Sequence, residues 1–196
     1  MLNKETLDKL RRDIVIDADL AGERLELHST WGIFSPREID EGTRLLVERL
    51  QIDPADDCLD LGCGYGPIGL FMARKAPQGK TLMVDKDFMA VKYANDNARR
   101  NQLDNAHAIL SNGFDHIESN LRFDVIASNI PAKVGKEMLS LILHDAQQRL
   151  KGGGRFYVVT INGLRQYMKR NLNEVFGNYD KLKQGRAYTL ALAYKE

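Results

Sequence analysis

From Cys58 to the C-terminus the sequence repeats one pattern: a short apolar run, a polar or glycine-bearing break, then a longer amphipathic stretch. The apolar runs CLDL, TLMVD, AHAIL, FDVIAS and RFYVVTI predict strands, and the stretches between them predict helices over 67–76, 88–101, 135–150 and 163–175. Near-continuous apolar runs suit strands buried on both faces. Strand, crossover helix and strand in succession give a parallel sheet with helices on both sides, so the expected class is α/β with a mostly parallel sheet. The last two segments, YDKLKQ and AYTLALAY, meet near Gly185 and predict an antiparallel hairpin at the sheet edge.

The first fifty residues read differently. A charged N-terminal helix is followed by two short strands around an Ala21-Gly22 turn, a Trp-Gly-Ile-Phe-Ser loop, and an amphipathic helix over 38–50 with Ile39, Leu45, Leu46 and Leu50 inward. A chain of 196 residues buries one substantial core, so residues 1–50 are expected to form an extension of helix, hairpin and helix packed on a core of 51–196. The longest apolar runs are strand-length and the N-terminus lacks the apolar segment of a secretory signal, from which we expect a cytoplasmic protein with no membrane span. Cys58 and Cys63 have no second pair and no nearby His, and the four His are isolated, so reduced thiols and no metal are expected.

The strand CLDLG runs into GCGYGPIG, residues 62–69. Gly62, Gly64 and Gly66 allow a tight turn and close approach to a ligand, and Pro67 suits the first helical position. The next strand ends at Asp85, about twenty residues on, where a carboxylate can accept both hydroxyls of a ribose. Asp60 has two readings: it orients the glycine loop or it holds a ligand amino group. Asp85 has its own bland reading as a solvent-facing strand end, and Asp87 equally suits a helix cap. The loop lacks the Lys-Ser/Thr of a P-loop, and the glycines together with Asp85 favour a nucleoside ligand.

Three segments in order, GIFSPREIDEGTRLLVERL, DDCLDLGCGYGPIGL and SNIPAKVGKEML, resemble the methyltransferase small domain family of class I S-adenosylmethionine-dependent methyltransferases, which includes ribosomal RNA guanine-N2 enzymes. The resemblance implies a Rossmann-like fold with a seven-stranded sheet and S-adenosylmethionine as cofactor. It implies a cofactor pocket closed by Gly32, Phe34 and Ser35, with Asp60, Gly62, Gly64 and Asp85 around it and Asn112 against the adenine. It further implies that Asn129, Ile130 and Pro131 stand where the family has Asn-Pro-Pro, with Ala132 where many members carry an aromatic.

An exocyclic base amine is a poor nucleophile, because its lone pair is delocalised into the ring. A site that holds both N–H bonds can orient the nitrogen, and the Asn129 side-chain oxygen and Ile130 carbonyl are the expected acceptors, with Pro131 forcing Ile130 extended. The bland alternative is that Asn129 only caps a turn. Net charge is +1, but residues 151–196 hold nine Lys and Arg against three Asp and Glu. Lys133, Lys136, Arg165, Lys169, Arg170, Lys181, Lys183 and Arg186 are therefore candidate RNA-phosphate contacts or, equally, a solvated surface. The leading expectation is methylation of a base amine in ribosomal RNA. A protein amide or small-molecule acceptor, and a non-catalytic binding module, are the alternatives.

Overall fold

A computed structural model describes residues 3–131 and 133–196, so Ala132 lies outside the described residues. Strands β3 (Cys58–Leu61), β4 (Thr81–Asp85), β5 (Ala106–Leu110), β6 (Phe123–Asn129), β7 (Leu150–Ile161), β8 (Asp180–Gln184) and β9 (Tyr188–Tyr194) form one sheet in the order β5-β4-β3-β6-β7-β9-β8. The first five are parallel, as the alternation requires. The C-terminal hairpin lies at the edge, with β9 running antiparallel to β7 and β8 paired outside it. The order reverses between β4 and β6, on either side of β3, and open α/β sheets bind ligands at such a switch point.

Helices α3 (Pro67–Lys75), α4 (Phe88–Arg100), α5 (Lys136–Arg149) and α6 (Arg165–Phe176) are the crossovers. The start of α3 follows from local chemistry: Gly66 adopts φ +99° and Pro67 supplies the first helical residue. An added Cβ at Gly66 would also press within 3.4 Å of Leu70 and Ala94. One sheet face buries Leu70, Phe71, Met83 and Tyr157, and the other buries Leu143, Met168, Leu172 and a stacked Phe156–Phe176 pair with centroids 5.7 Å apart. Each such side chain contributes about 1.5–3 kcal/mol when fully buried. Strand β7 begins five residues before the expected RFYVVTI, because Leu150 already pairs with Phe123 of β6 and residues 151–154 form an irregularity, bonded to Lys195, before the regular register starts at Val125–Arg155.

Ahead of the sheet come α1 (Lys4–Leu10), the hairpin β1 (Ile14–Leu20) with β2 (Glu23–Ser29), and α2 (Glu41–Val47). Helix α2 starts three residues later than periodicity predicts, because Asp40 caps it by accepting the N–H of Gly42 at 2.9 Å and of Thr43 at 3.3 Å. Leu25, Leu27 and Leu46 of this N-terminal segment belong to the same apolar cluster as the sheet. The hairpin docks through α4. Fully buried Asn97 accepts the His28 N–H at 2.8 Å and donates to the His28 and Tyr65 carbonyls at 2.9 Å, and Asn101 repeats the pattern on Glu26. These amides occupy backbone groups of β2 that an open strand edge would expose. No helix among the described residues is long and apolar enough to cross a membrane.

Candidate active site

The carboxyl ends of β3, β4, β5 and β6 open into a cavity of about 320 Å³. Its walls include Gly62, Gly64, Asp85, Asn112, Asn129, Ile130 and Pro131, with Phe34 and Ser35 contributed by the loop before α2. Of the candidate cofactor and catalytic residues, all but Gly32, Asp60 and Gly66 are therefore gathered around one space. Gly62 and Gly64 adopt φ of +77° and +56°, a region L side chains rarely enter, and a Cβ added at either would meet nothing within 4 Å. The bare backbone thus leaves open the space that side chains there would enter.

Asp85 does two things at once. Its Oδ2 accepts the Gly64 N–H at 2.9 Å and its Oδ1 accepts the Asp87 N–H at 2.9 Å. A carboxylate has about four lone-pair positions, so acceptors remain for a diol in the cavity. Asp87 is the cap of α4, bonded to the N–H groups of Met89 and Ala90. Asn112 is exposed at the turn after β5, and Phe34 is 60% exposed at the cavity mouth, free to close on a ligand.

Asp60 does not reach the cavity. It lies behind the glycine loop with no solvent exposure, and its Oδ2 accepts the Gly69 N–H at 2.7 Å while Oδ1 has no partner. Of its two readings, orienting the loop and the start of α3 matches this placement, whereas contact with a ligand amino group does not. Burial pushes its carboxyl up to about 7, with a further push from the Asp85 charge against the pull of the Gly69 bond. Cys58 and Cys63 are buried thiols, that of Cys58 pushed up to about 12 by desolvation. Tyr65 bonds outward, its hydroxyl donating to the carbonyls of Ser35 and Glu38 at 3.3 Å, which ties the glycine loop to the loop bearing Phe34.

At the other end of the cavity, Asn129 is half-buried at the end of β6. Its amide nitrogen donates to Asp40 Oδ2 at 2.8 Å and to Thr43 Oγ1 at 3.1 Å. Tyr188 on β9 donates to the second oxygen of Asp40 at 3.0 Å. Sequence reasoning missed these three residues. Asp40 before a helical run signals a cap and nothing more, and Thr43 and Tyr188 lie 86 and 59 residues from Asn129 with no local pattern to join them. Ile130 is buried, its N–H bonded to the Val159 carbonyl at 3.0 Å; among the described residues no backbone N–H donates to its own carbonyl.

The charged side chains on the cavity wall are Asp40, Asp85, Asp87 and Lys86. Three carboxylates against one ammonium favour a ligand bearing positive charge, and apolar Leu61, Ile68 and Val84 line the rest. A carboxylate with acceptor positions left over, a glycine loop without side chains and a net negative wall fit a nucleoside carrying a sulfonium and an ammonium.

A family model described as "Methyltransferase small domain" matches residues 24–191. Bacillus subtilis YbxB is 30% identical over 167 residues, covering 84% of this chain and 83% of its own. The ribosomal RNA small subunit methyltransferase C of Actinobacillus succinogenes is 32% identical over 164 residues, 82% of this chain but 48% of that one. A solved structure titled as the T. thermophilus 16S rRNA N2 G1207 methyltransferase, in complex with AdoMet and guanosine, superposes with a TM-score of 0.85 at 28% identity, covering 94% of this chain and 51% of that one. This chain thus spans about half the length of the ribosomal RNA methyltransferases it matches. It belongs to the methyltransferase small domain family, whose cofactor is S-adenosylmethionine.

Proposed function

We propose that the protein methylates an exocyclic amine of a base in RNA, a guanine N2 of ribosomal RNA being the favoured acceptor. The observation that carries this reading is Asn129, held at the cavity wall with its amide nitrogen engaged by Asp40 and Thr43. Its oxygen is thereby left for an N–H donor in the cavity. The similarity to a protein solved with AdoMet and guanosine supports the choice of base.

S-adenosylmethionine supplies a methyl group activated by a sulfonium. Gly62, Gly64, Asp85 and Asn112 would hold it, with Phe34 at the mouth. Asn129 Oδ1 and the Ile130 carbonyl would accept hydrogen bonds from the two amine N–H groups, turning the nitrogen toward the cofactor side and disfavouring delocalisation of its lone pair; as the methyl carbon exchanges its bond to sulfur for one to nitrogen, the thioether would leave and the surplus proton on nitrogen would pass to solvent. Fixed dipoles set in place before the reaction stabilise the positive charge that develops on nitrogen. Pro131 restricts Ile130 to extended backbone and so aims its carbonyl.

RNA phosphates would be met by the basic C-terminal third. Arg165, Lys169 and Lys181 line a groove of about 330 Å³ with Gln166 and Tyr179, and among the described residues no carboxylate lines it. Arg165 and Lys169 stand one turn apart on α6, which begins where β7 ends at the carboxyl edge of the sheet. Arg170 lies apart, over the Tyr167 ring at 5.8 Å. Lys133 precedes α5, Lys136 is its first residue, and Lys183 and Arg186 lie on the C-terminal hairpin. An RNA substrate of this kind places the protein in the cytoplasm.

The test is transfer of labelled methyl from S-adenosylmethionine to ribosomal RNA, ribosomal subunits and protein extract, with wild type and Asn129→Ala. Label in a guanine N2 position of RNA, falling about a hundred- to a thousandfold in the variant at unchanged cofactor affinity, is the expected result. Label confined to protein would overturn the substrate. Near-normal turnover by the variant with a lowered melting temperature would reduce Asn129 to a structural cap.

A further inference from the structure

An asparagine amide can be turned end for end with almost no change of shape, yet the two orientations are opposites in function. Oxygen outward accepts an amine proton; nitrogen outward repels it. Something must choose between them. In this fold the choice is made by Asp40, whose carboxylate has no proton to give, so that only the NH2 edge of Asn129 can face it at 2.8 Å. A flipped amide would set oxygen against oxygen there. Among the described residues no donor reaches Asn129 Oδ1, and the residue lines the cavity.

Asp40 is itself held from three directions. Its Oδ2 accepts the backbone N–H of Gly42 and Thr43 at the start of α2, and its Oδ1 accepts the Tyr188 hydroxyl at 3.0 Å. Burial, and then the bond to Asp40, push the Tyr188 phenol up, so it remains a donor. The approach of α2 is close. A Cβ on Gly42 would fall 2.8 Å from Asp40 Oδ2 and 3.2 Å from both the nitrogen and the oxygen of the Asn129 amide. A residue with no side chain is therefore needed where the cap meets the strand end.

We infer that Asp40, supported by Thr43 and Tyr188, is a positioning residue that fixes Asn129 with its oxygen toward the acceptor and so restricts the site to acceptors that present a hydrogen-bond donor, as an amine does. The inference rests on the proposed methylation of an amine. It assigns to the N-terminal segment, which precedes the cofactor loop in sequence, control over the substrate half of the site.

Asp40→Ser separates capping from positioning. Serine caps a helix about as well as aspartate but is too short to reach Asn129 or Tyr188. Turnover should fall about a hundredfold, the cost of misplacing a reacting group by an ångström, while S-adenosylmethionine affinity holds and the melting temperature falls only by the unpairing of the Tyr188 hydroxyl and the Asn129 amide. Asp40→Asn should restore most of the activity, because its amide oxygen can cap α2 and accept from Asn129 together. In an Asn129→Ala background Asp40→Ser should cost nothing more, since a residue acting through Asn129 loses its effect when Asn129 is gone. Wild-type turnover in Asp40→Ser, full additivity with Asn129→Ala, or lack of rescue by Asp40→Asn would overturn the inference. A second readout is independent of activity: the Asn129 side-chain NH2 protons, followed by NMR, should exchange slowly in wild type and rapidly in Asp40→Ser. Rapid exchange in wild type would overturn the positioning role even in an active enzyme. Slow exchange in a protein that methylates no RNA would instead overturn the proposed substrate and leave the positioning standing.

Discussion

Asp60 is the place where the fold conflicts most with the chemistry of a side chain, and Asp60→Asn measures the conflict. Its carboxyl is pushed up to about 7 by full burial, against 3.8 for an ordinary aspartate. A proton is therefore bound more tightly in the folded chain than in the unfolded one. The associated stability is fully present below pH 3.8 and is lost as pH rises to 7, above which the loss is complete. From pH 5 to pH 8 the expected loss is about 3 kcal/mol, at roughly 1.4 kcal/mol per pH step up to the folded pKa. In a domain of this size that corresponds to a melting temperature about 10 °C lower. Asparagine retains an acceptor for the Gly69 N–H and cannot ionise, so the variant should lack this part of the pH dependence. The assay is thermal unfolding of both proteins without cofactor, at pH 5, 6, 7 and 8. Differences between them cancel the histidines and the exposed carboxylates, and a constant offset reads the cost of burying an amide in place of the unpartnered Oδ1. Parallel profiles for the two proteins would refute the reasoning, since they would mean that Asp60 is ionised in the fold throughout.

Asp85→Ala should lose both the ribose acceptors and the Gly64 tether, weakening S-adenosylmethionine binding by about 1.5–3 kcal/mol for each charge-assisted bond lost; calorimetric affinity equal to wild type would remove Asp85 from the site. Lys169→Glu with Lys181→Glu should weaken RNA binding and flatten its dependence on salt while cofactor affinity holds, and an unchanged slope would make the groove a solvated surface.

The alternation of apolar and amphipathic segments made the parallel sheet legible, because a buried strand and a crossover helix each write their period locally. The glycine loop was legible for the same reason: Gly62, Gly64 and Pro67 meet backbone demands within a few residues of chain. The start of α2 was not, because the apolar period around Ile39 continues past the point where the Asp40 carboxylate takes the first N–H groups. The role of Asp60 stayed ambiguous, since one residue's difference in how a strand end faces decides between ligand and loop, and no pattern reports that. Asn97 was invisible for a further reason. It sits on a helix in an amphipathic run where an amide reads as polar surface, yet it is fully buried between β2 and the glycine loop.

That burial bears on what the N-terminal segment is for. The strand ends alone supply the glycine loop, Asp85, Asn112 and Asn129, which form much of the cavity wall. They do not supply the wall bearing Phe34, nor anything to orient Asn129. Both come from residues before Leu50, and both are tied to the core by polar contacts that are specific in geometry: Asn97 to His28 and Tyr65, Tyr65 to Ser35 and Glu38, and Tyr188 to Asp40. Apolar packing of the hairpin could be satisfied by many small slips of register, since hydrophobic burial has no direction. Hydrogen bonds to buried amides and a carboxylate cannot slip without leaving a polar group unpaired, at about 1–3 kcal/mol each. The segment is therefore held to a definite position relative to the strand ends, which the proposed aiming of the Asn129 oxygen at an acceptor requires.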